Sequence, residues 1–562
     1  MFTKKKLIFI IALININLIS NNNNLVYKYQ KLLAHDPTNF EALFNLANEF
    51  FNKKQFTQAT IHYKKALRTQ PENVSTLFNL SLALLMNNKL DQAKEHLTKI
   101  ITINPKHPKA LLTRAEIFEK QENIDAAISD CQKSAKIHQK PFNTYIKLAN
   151  LFKKQKDYEN SIIYYKKAIE LKPENISLRF KLGHIFTSLG LLDEAIEQYE
   201  KILEFNPKHY QVIHNIGYCL KVKGKVDEAI QMYQKALEIN PKYEASIYAE
   251  ALAYLYKGDF ETGWQKYAWR LKKEKRNSDK LRSWIKDSTL KNKTVYIMPE
   301  GGLGDTIQFI RYAEKLKKSG ARVVVSVQKP LRPLISNCPY IDVLLSSKNK
   351  IKQYDDITTT MSLPAIFGST EETIPKNIPY IFPDKTLIEK WKSYFKENDS
   401  FKIGLCWGAD LKNDQSRVLS AHRSIPLKKL EKLSTLNNTQ FYSLQKKDCV
   451  DQLENIPENF TIHTFGHNFD NESGPFMDTA AIIKQLDLVI TVDTSIAHLA
   501  GALGTPVFLM LPYNTDWRWI EGRKDSPWYP KMKIFKQPKA FDWESVVQEI
   551  FEELSKKNEN NI

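Results

Sequence analysis

The sequence predicts an α-helical solenoid followed by an α/β region built from two strand–helix sets. Three observations carry this reading: a 34-residue periodicity through the first half, a strand–glycine loop–helix unit over 294–316, and a second strand–loop–helix unit over 488–504. With 562 residues, 42% of them hydrophobic, the chain is long enough for several domains with sizeable cores.

The periodicity comes first. Pro37, Pro71, Pro105, Pro173, Pro207 and Pro241 recur every 34 residues, or 68 where Gln139 stands in place of proline. Ala59, Ala93, Ala127, Ser161, Ala195 and Ala229 keep the same phase, as small residues where two helices must approach closely. Tyr63, Tyr165, Tyr199 and Tyr233 follow four positions later, and Ala47, Ala115, Ala149, Gly183 and Gly217 mark another small site. This phasing closely resembles tetratricopeptide repeats, each a helix–turn–helix whose apolar face is buried only by its neighbours. The resemblance implies a curved superhelix that takes a peptide or protein partner on its concave face; the alternative is a structural spacer. Asn45, Asn79 and Asn215 either contact such a peptide's backbone or are solvated. The last unit, Gly258–Arg270, departs from the pattern. It carries Gly263 at the small position and adds Trp264 and Trp269, so it reads as a cap docking on the next domain. The charged stretch Lys272–Arg282 then leads to Trp284, which places the boundary near 275–290.

Thr294–Met298 is a β-branched apolar run, followed by Pro299-Glu-Gly-Gly-Leu-Gly-Asp305 and a helically spaced segment to Leu316. In open α/β sheets ligands bind outside the carboxyl ends of the strands, where this loop lies. Gly302 and Gly304 begin a dinucleotide fingerprint, but Ile307 replaces its third glycine and Asp305 would repel a phosphate at close range. Asp305 suits a general base or a hydroxyl-binding group, or else it caps the helix. Further strands are expected at Ala321–Val327, Lys402–Trp407, Thr439–Leu444, Leu488–Val492 and Pro506–Leu511, with a connecting helix at Lys385–Phe395. Two such sets face each other across a cleft. The second loop, Asp493-Thr494-Ser495, opens a helix ending at Gly504. Its free N–H groups and hydroxyls make an anion site to which His498 could add a donor; the alternative is an ordinary cap with His498 packed on the sheet.

Four segments together resemble the heptosyltransferase-type glycosyltransferases, in the subset fused to tetratricopeptide repeats: Gly302–Arg311, Gly404–Gly408, Ser443–Lys446 and Val492–Gly504. The tail Asp516-Trp-Arg-Trp519, the stretch Ser526–Pro530 and the Gly263-Trp264…Trp269-Arg270 junction are similar to that subset as well. The domain order is similar to that of the eukaryotic O-linked N-acetylglucosamine transferase. The resemblance implies a GT-B fold of two Rossmann-like domains, a nucleotide-sugar donor and no required metal or cofactor. It implies Asp305 as the base acting on an acceptor hydroxyl. It places Asp493, Thr494, Ser495 and His498 near the donor's diphosphate, with Trp407, Gly408, Gln445 and Lys446 lining the donor side. One departure stands out: Ala409-Asp410 replaces the Gly-Asn pair of the fused proteins, and the loop to Arg423-Ser424 holds extra residues including His422. Arg423 remains a candidate phosphate clamp.

The domain organisation expected from these readings is an N-terminal segment over 1–24, a solenoid over 25–275, an acceptor-side domain over 290–383 and a donor-side domain over 384–556. The function expected is an inverting, metal-independent glycosyltransferase whose solenoid recruits a protein or glycan acceptor. The alternative is an interaction scaffold whose α/β half has lost catalysis; a nucleotide-sugar epimerase fits less well, because it leaves the solenoid without a role.

Charge and cysteines bound the rest. The formal net charge is +19, yet residues 291–562 hold 36 basic against 33 acidic side chains, so the excess lies on the repeats. It is mostly Lys spread through helices, which suits solvated faces rather than a nucleic-acid partner. Cys131, Cys219, Cys338, Cys406 and Cys449 show no metal-ligand or disulfide spacing, as in a reducing compartment. Lys4–Lys6 before Leu7–Ile14 resembles the start of a signal peptide, but Asn15 and Asn17 interrupt it and it is too short to span a bilayer. It falls in phase with the repeats, so a worn first repeat in a cytoplasmic protein without stable membrane insertion is expected.

Overall fold

The computed structural model describes residues 25–137, 139–269, 279–345, 353–395, 399–409, 423–466 and 468–559. The N-terminal segment 1–24, Arg270, Asp410 and His422 lie outside the described residues. By compactness the chain divides into a unit up to Ile185 and a unit from Phe186 onward.

In the first unit the helices Phe40–Asn52, Phe56–Thr69, Val74–Met86, Leu90–Ile103, Pro108–Lys120, Ile124–Ile137, Phe142–Lys154 and Tyr158–Leu171 pack as successive pairs. The period is legible in the packing. Ala47, Ala59, Ala93, Ala115, Ala127, Ala149 and Ser161 are fully buried, and Tyr63 and Tyr165 fill the space beside them. Pro37, Pro71, Pro105 and Pro173 each sit in the turn after a second helix, where proline's missing N–H costs no helical hydrogen bond. Asn79, one of the asparagines considered for peptide contact, donates to Asn48 Oδ1 at 3.0 Å, and Tyr63 donates to that same oxygen at 2.5 Å. A second periodic device was not read from the sequence. Asp91 accepts from Gln121 at 3.0 Å and Asp125 from Gln155 at 2.6 Å, each reaching 30 residues to the next repeat.

The second unit continues the pattern with Leu192–Phe205, Tyr210–Val222, Val226–Ile239, Glu244–Tyr256 and Phe260–Tyr267. Asp193–Lys223 and Asp227–Lys257 repeat the 30-residue staple as ion pairs. Glycine is required at position 217, because a Cβ there would lie 2.8 Å from the Tyr233 ring. The final repeat buries its aromatic residues in the same core as the α/β region. Trp264 meets Trp517 edge-on with ring centroids 5.3 Å apart, and its indole N–H donates to the Ser369 carbonyl at 2.9 Å.

Among the described residues ten strands form two parallel sheets. They are β1 (Thr294–Met298), β2 (Arg322–Ser326), β3 (Val343–Leu345), β4 (Asp356–Thr359), β5 (Phe401–Cys406), β6 (Thr439–Ser443), β7 (Ile462–His463), β8 (Leu488–Val492), β9 (Val507–Leu511) and β10 (Met532–Lys536). Sheet orders are β3-β2-β1-β4 and β10-β9-β8-β5-β6-β7, with every pairing parallel. Counted from its own first strand, the larger sheet has the order 3-2-1-4-5-6 of a doubly wound α/β sheet. β3, β4, β7 and β10 were not expected from the sequence. The first three are two to four residues long, and β4 carries Asp356 and two threonines. The connecting helix spans Lys385–Lys392 and joins the larger sheet's layer, where Trp391 donates to Asp478 at 2.7 Å.

Because Lys221, Tyr256 and Trp264 of the last repeats bond or pack onto residues 369 and 514–521, the repeats are not interchangeable. Deleting Asp36–Gln70, a 35-residue excision at the start of the solenoid, is expected to leave a soluble protein with a cooperative melt. Deleting Tyr210–Asn240 is expected to abolish soluble expression. Equal losses from the two deletions, read by soluble yield and thermal melting, would contradict this.

Candidate functional site

The loops at the two switch points, where strand order reverses, meet directly. β1 runs into Pro299–Gly302 and the short helix Leu303–Phe309. β8 runs into Asp493-Thr494 and the helix Ser495–Leu503. The two helices pack against each other with Gly304 at the contact: a Cβ there would lie 2.7 Å from Cδ2 of His498 and 3.6 Å from Cα of Ser495. The glycine loop therefore serves close approach of one loop to the other, which is one of the uses its spacing allowed. Gly301 has φ +76°, and a Cβ on it would collide with the Asp305 carboxylate at 2.2 Å.

Asp305 stands in the first turn. Its Oδ2 accepts from the Gly302 N–H at 2.6 Å, as a capping residue does, and its Oδ1 accepts from Arg518 Nη2 at 2.5 Å. The Asp305 side chain keeps 23% of its surface exposed, whereas Arg518 keeps 9%. Arg518 was not singled out by the sequence reading beyond its place in the tail motif. It spends every side of its guanidinium. Nε donates to Gln308 Oε1 at 2.9 Å, Nη1 to Asp516 Oδ1 at 2.7 Å, and the plane stacks 4.5 Å from the Trp517 ring centroid. Burial opposes its charge, but Asp516 and Asp305 more than offset that and hold its pKa above the ordinary arginine value.

The second loop opens a helix that ends before Gly504, with Thr494 as the N-cap; its Oγ1 accepts from the Ile496 N–H at 3.3 Å. Asp493, half-buried at the end of β8, has a carboxyl pKa pushed up to about 6, by burial first and then by Asp516, against the opposing pull of Arg423. Arg423 acts on this carboxyl through its charge. Ser495 opens the helix. His498 is buried: Nδ1 is 2.9 Å from the Tyr529 hydroxyl and its ring stacks on Trp519 with centroids 5.4 Å apart. Burial first, then Arg518 and Arg311, lower its pKa to about 3, so the ring is neutral. His498 is packed, but against Trp519 and Tyr529 of the segment between β9 and β10 rather than on the sheet. As a neutral ring it can donate a single N–H but brings no cationic charge to an anion.

Three residues expected to line the donor side are committed to the structure instead. Trp407 is wholly buried in the core on the far face of the larger sheet, because β5 turns its ring inward, and Nε1 donates to the Cys449 carbonyl at 3.1 Å. Gln445 spends its amide on backbone. Oε1 accepts from the N–H groups of Trp407 and Gly408 at 3.0 and 2.9 Å, and Nε2 donates to the carbonyls of Gly408 and Asp448. Lys446 donates to the Phe469 carbonyl and lies over that ring. Gly408 is held where a Cβ would strike Cys449 at 2.8 Å. These contacts fix the β5 and β6 loops. Among the described residues no group of three or more His, Cys, Asp or Glu could hold a metal ion, and no helix is long and apolar enough to cross a membrane.

The His498 environment has a pH consequence. The unfolded ring takes up a proton near its ordinary pKa of 6.5, and the folded ring does so only near 3. Stability is therefore lost as pH falls through this window, by about 1.4 kcal/mol per pH unit. Asp493 works in the opposite sense between about 3.8 and 6, where the folded carboxyl holds its proton longer. Acidification from pH 6.5 to 4.5 is expected to cost wild type roughly 2–3 kcal/mol more than His498→Gln. Denaturant melts of both proteins at the two pH values measure this, and equal pH dependence would contradict the buried, neutral ring.

Comparison with known proteins places the repeats. The family described as the tetratricopeptide repeat protein 21 C-terminal ARM domain matches residues 21–217, and the tetratricopeptide repeat family matches residues 210–243. The chain is 25% identical over 320 residues to protein FlbA of Caulobacter vibrioides, covering 53% of this chain and 52% of that protein. It thus spans about half the length of the curated relative it matches. Among solved structures, YrrB, described as a TPR protein with an unusual peptide-binding site, aligns at 22% identity with a TM-score of 0.30, covering 34% of this chain and 98% of that one. The C-terminal part of a TPR repeat-containing protein from Cytophaga hutchinsonii aligns at 14% identity with a TM-score of 0.38, covering 41% and 96%. PilF of Pseudomonas aeruginosa aligns at 13% identity with a TM-score of 0.30, covering 37% and 94%. Residues 21–243 thus match tetratricopeptide-repeat families, and these repeats lead into an α/β region of two parallel sheets.

Proposed function

We propose that the α/β region is a GT-B glycosyltransferase that moves a sugar from a nucleotide-sugar to an acceptor hydroxyl, and that the solenoid recruits a protein or glycan acceptor. One observation carries the proposal. The switch-point loop of each parallel sheet abuts the other, with Asp305 on the first and a helix N-terminus bearing Ser495 on the second. Switch points are where open α/β sheets bind ligands. The two loops bring unlike chemistry. The N–H groups at the start of Ser495–Leu503 and the Ser495 hydroxyl suit a diphosphate leaving group. Asp305, on the other sheet, suits the acceptor hydroxyl and its proton. His498 completes the contact between them as a neutral ring, and Asp493 sits at the junction.

A second reading has its own observation. Both Asp305 oxygens are engaged, one by Arg518 and one by the Gly302 N–H. In that reading Asp305 is a structural tie, and the chain is an interaction scaffold that binds partners through its repeats.

Calorimetry with ADP-, UDP- and GDP-sugars separates the two. Glycosyl transfer requires binding of one of them, and Ser495→Ala is expected to weaken it by roughly 1.5–3 kcal/mol through the lost hydrogen bond to a charged group. EDTA is expected to leave binding and transfer intact. No binding of any nucleotide-sugar would leave the scaffold reading standing.

Asp305→Asn keeps the side chain's shape and removes its charge. Turnover is expected to fall by about 10²–10⁴-fold with donor affinity unchanged. A thermal melt confirms that the variant folds. Transfer at a wild-type rate would make Asp305 a helix cap and a tie to Arg518 and nothing more.

A further inference from the structure

Residues 514–519 are held from two sides at once. From the repeats, Lys221 Nζ donates to Asn514 Oδ1 at 2.9 Å and to the Thr515 carbonyl at 3.3 Å. Thr515 Oγ1 bonds the Tyr256 hydroxyl at 3.5 Å, and the Tyr256 carbonyl accepts from the Glu521 N–H at 2.8 Å. Trp264 meets Trp517 edge-on. Toward the candidate site, Arg518 leaves the same short turn for Asp305, Gln308 and Asp516, while Trp519 stacks on His498. The turn therefore joins the solenoid to both switch-point loops.

We propose that Arg518 is the positioning residue for Asp305, and that the last repeats, through Lys221 and Trp264, set where Arg518 stands. The proposal rests on the reading of Asp305 as the acceptor-side carboxylate. Three features support it. Arg518 holds Oδ1 of Asp305 and leaves Oδ2 to the Gly302 N–H, so the carboxylate is fixed at both oxygens and its plane is determined. Gln308 is wholly buried, and its Nε2 has no hydrogen-bond partner. Its satisfied amide atom is the oxygen that receives Arg518 Nε, so the side chain is oriented toward the guanidinium. Lys221 bonds Asn514 and the Thr515 carbonyl, the two residues that lead directly into Asp516, whose carboxylate in turn takes Arg518 Nη1; burial lowers the lysine's pKa to about 8, with Asp516 as the main opposing influence.

A planar guanidinium serves Gln308, Asp516 and Asp305 from three separate nitrogens in a fixed fork, whereas an ammonium offers its donors from one nitrogen on a flexible stem. The line of contact also gives a route by which a partner seated on the repeats alters the site: a shift of the Tyr210–Val222 helix moves Lys221 and with it the Asn514–Asp516 approach to Arg518.

The test uses the full-length chain and three variants, Lys221→Met, Arg518→Lys and Arg518→Met, the conservative lysine serving in case the methionine variant fails to fold. Two measurements are taken. Hydrogen exchange is followed in the peptide spanning 299–309, and transfer kinetics are measured with the nucleotide-sugar that binds. In Lys221→Met and Arg518→Lys, exchange over 299–309 is expected to rise at least fivefold, with peptides of the larger sheet unchanged. Transfer is expected to lose 3–10-fold in kcat for Lys221→Met and 10–100-fold for Arg518→Lys, with the donor KM within twofold of wild type. Unchanged exchange over 299–309 in Lys221→Met overturns the link from the repeats, and a donor KM that rises in step with lost kcat overturns the positioning role. Raised exchange in Lys221→Met and Arg518→Lys, with a wild-type chain that transfers no sugar from any donor, keeps the mechanical link and overturns the glycosyltransferase reading instead.

Discussion

The Arg518 guanidinium is a nearly buried cation, and a buried cation is tolerated only when its charge and its N–H groups are all met. Here Asp305, Asp516 and Gln308 meet them, on the helix of the smaller sheet and on the turn that carries the arginine itself. Much of the local architecture follows from that requirement. The glycine loop must bring Asp305 within reach, and Gly301 must lack a Cβ to let the carboxylate lie there. Trp517 must stand where it gives the guanidinium a face, and the final repeat supplies the aromatic wall behind Trp517.

The same constraint explains why the last repeats share a core with the sheets. A solenoid helix needs a neighbour on each side. After Phe260–Tyr267 no further repeat is described, and the apolar face turns to Trp517, Trp528 and Phe309. Arg311 adds a second buried cation nearby. It is held without a carboxylate, by the carbonyls of Gln308 and Trp528 and the Tyr380 hydroxyl, and flanked by the Tyr380 and Tyr529 rings. Two arginines from segments far apart in sequence thus pin the smaller sheet's first helices to the C-terminal tail.

The two switch-point loops bring different groups to their junction. One presents a carboxylate to a partly open surface. The other presents a helix N-terminus with its cap already satisfied by Thr494, and next to it a carboxyl, Asp493, whose proton is retained to near neutrality. His498 keeps the junction tight without adding charge, because burial and two arginines exclude its protonated form. Trp407, Gln445 and Lys446 hold the neighbouring loops in place.

The sequence by itself determined the repeats almost to the residue. A 34-residue period in small residues, tyrosines and prolines reports local packing that recurs in every unit, so Ala59, Tyr63 and their equivalents were legible as buried contacts. It also revealed the apolar strands β1, β2, β5, β6, β8 and β9 and the two loops, because buried parallel strands read as continuous β-branched runs. It missed β3, β4, β7 and β10, whose brevity or polar content leaves no periodic signal. Tertiary structure alone decided which residues meet. Trp407 and Gln445 sit in motif positions, yet whether a side chain there faces a ligand or the core depends on how β5 and β6 pair and on which backbone groups need partners. Asp305 and Arg518 are 213 positions apart, and nothing local to either marks the other. Their meeting follows from two sheets and a final repeat closing around one cation.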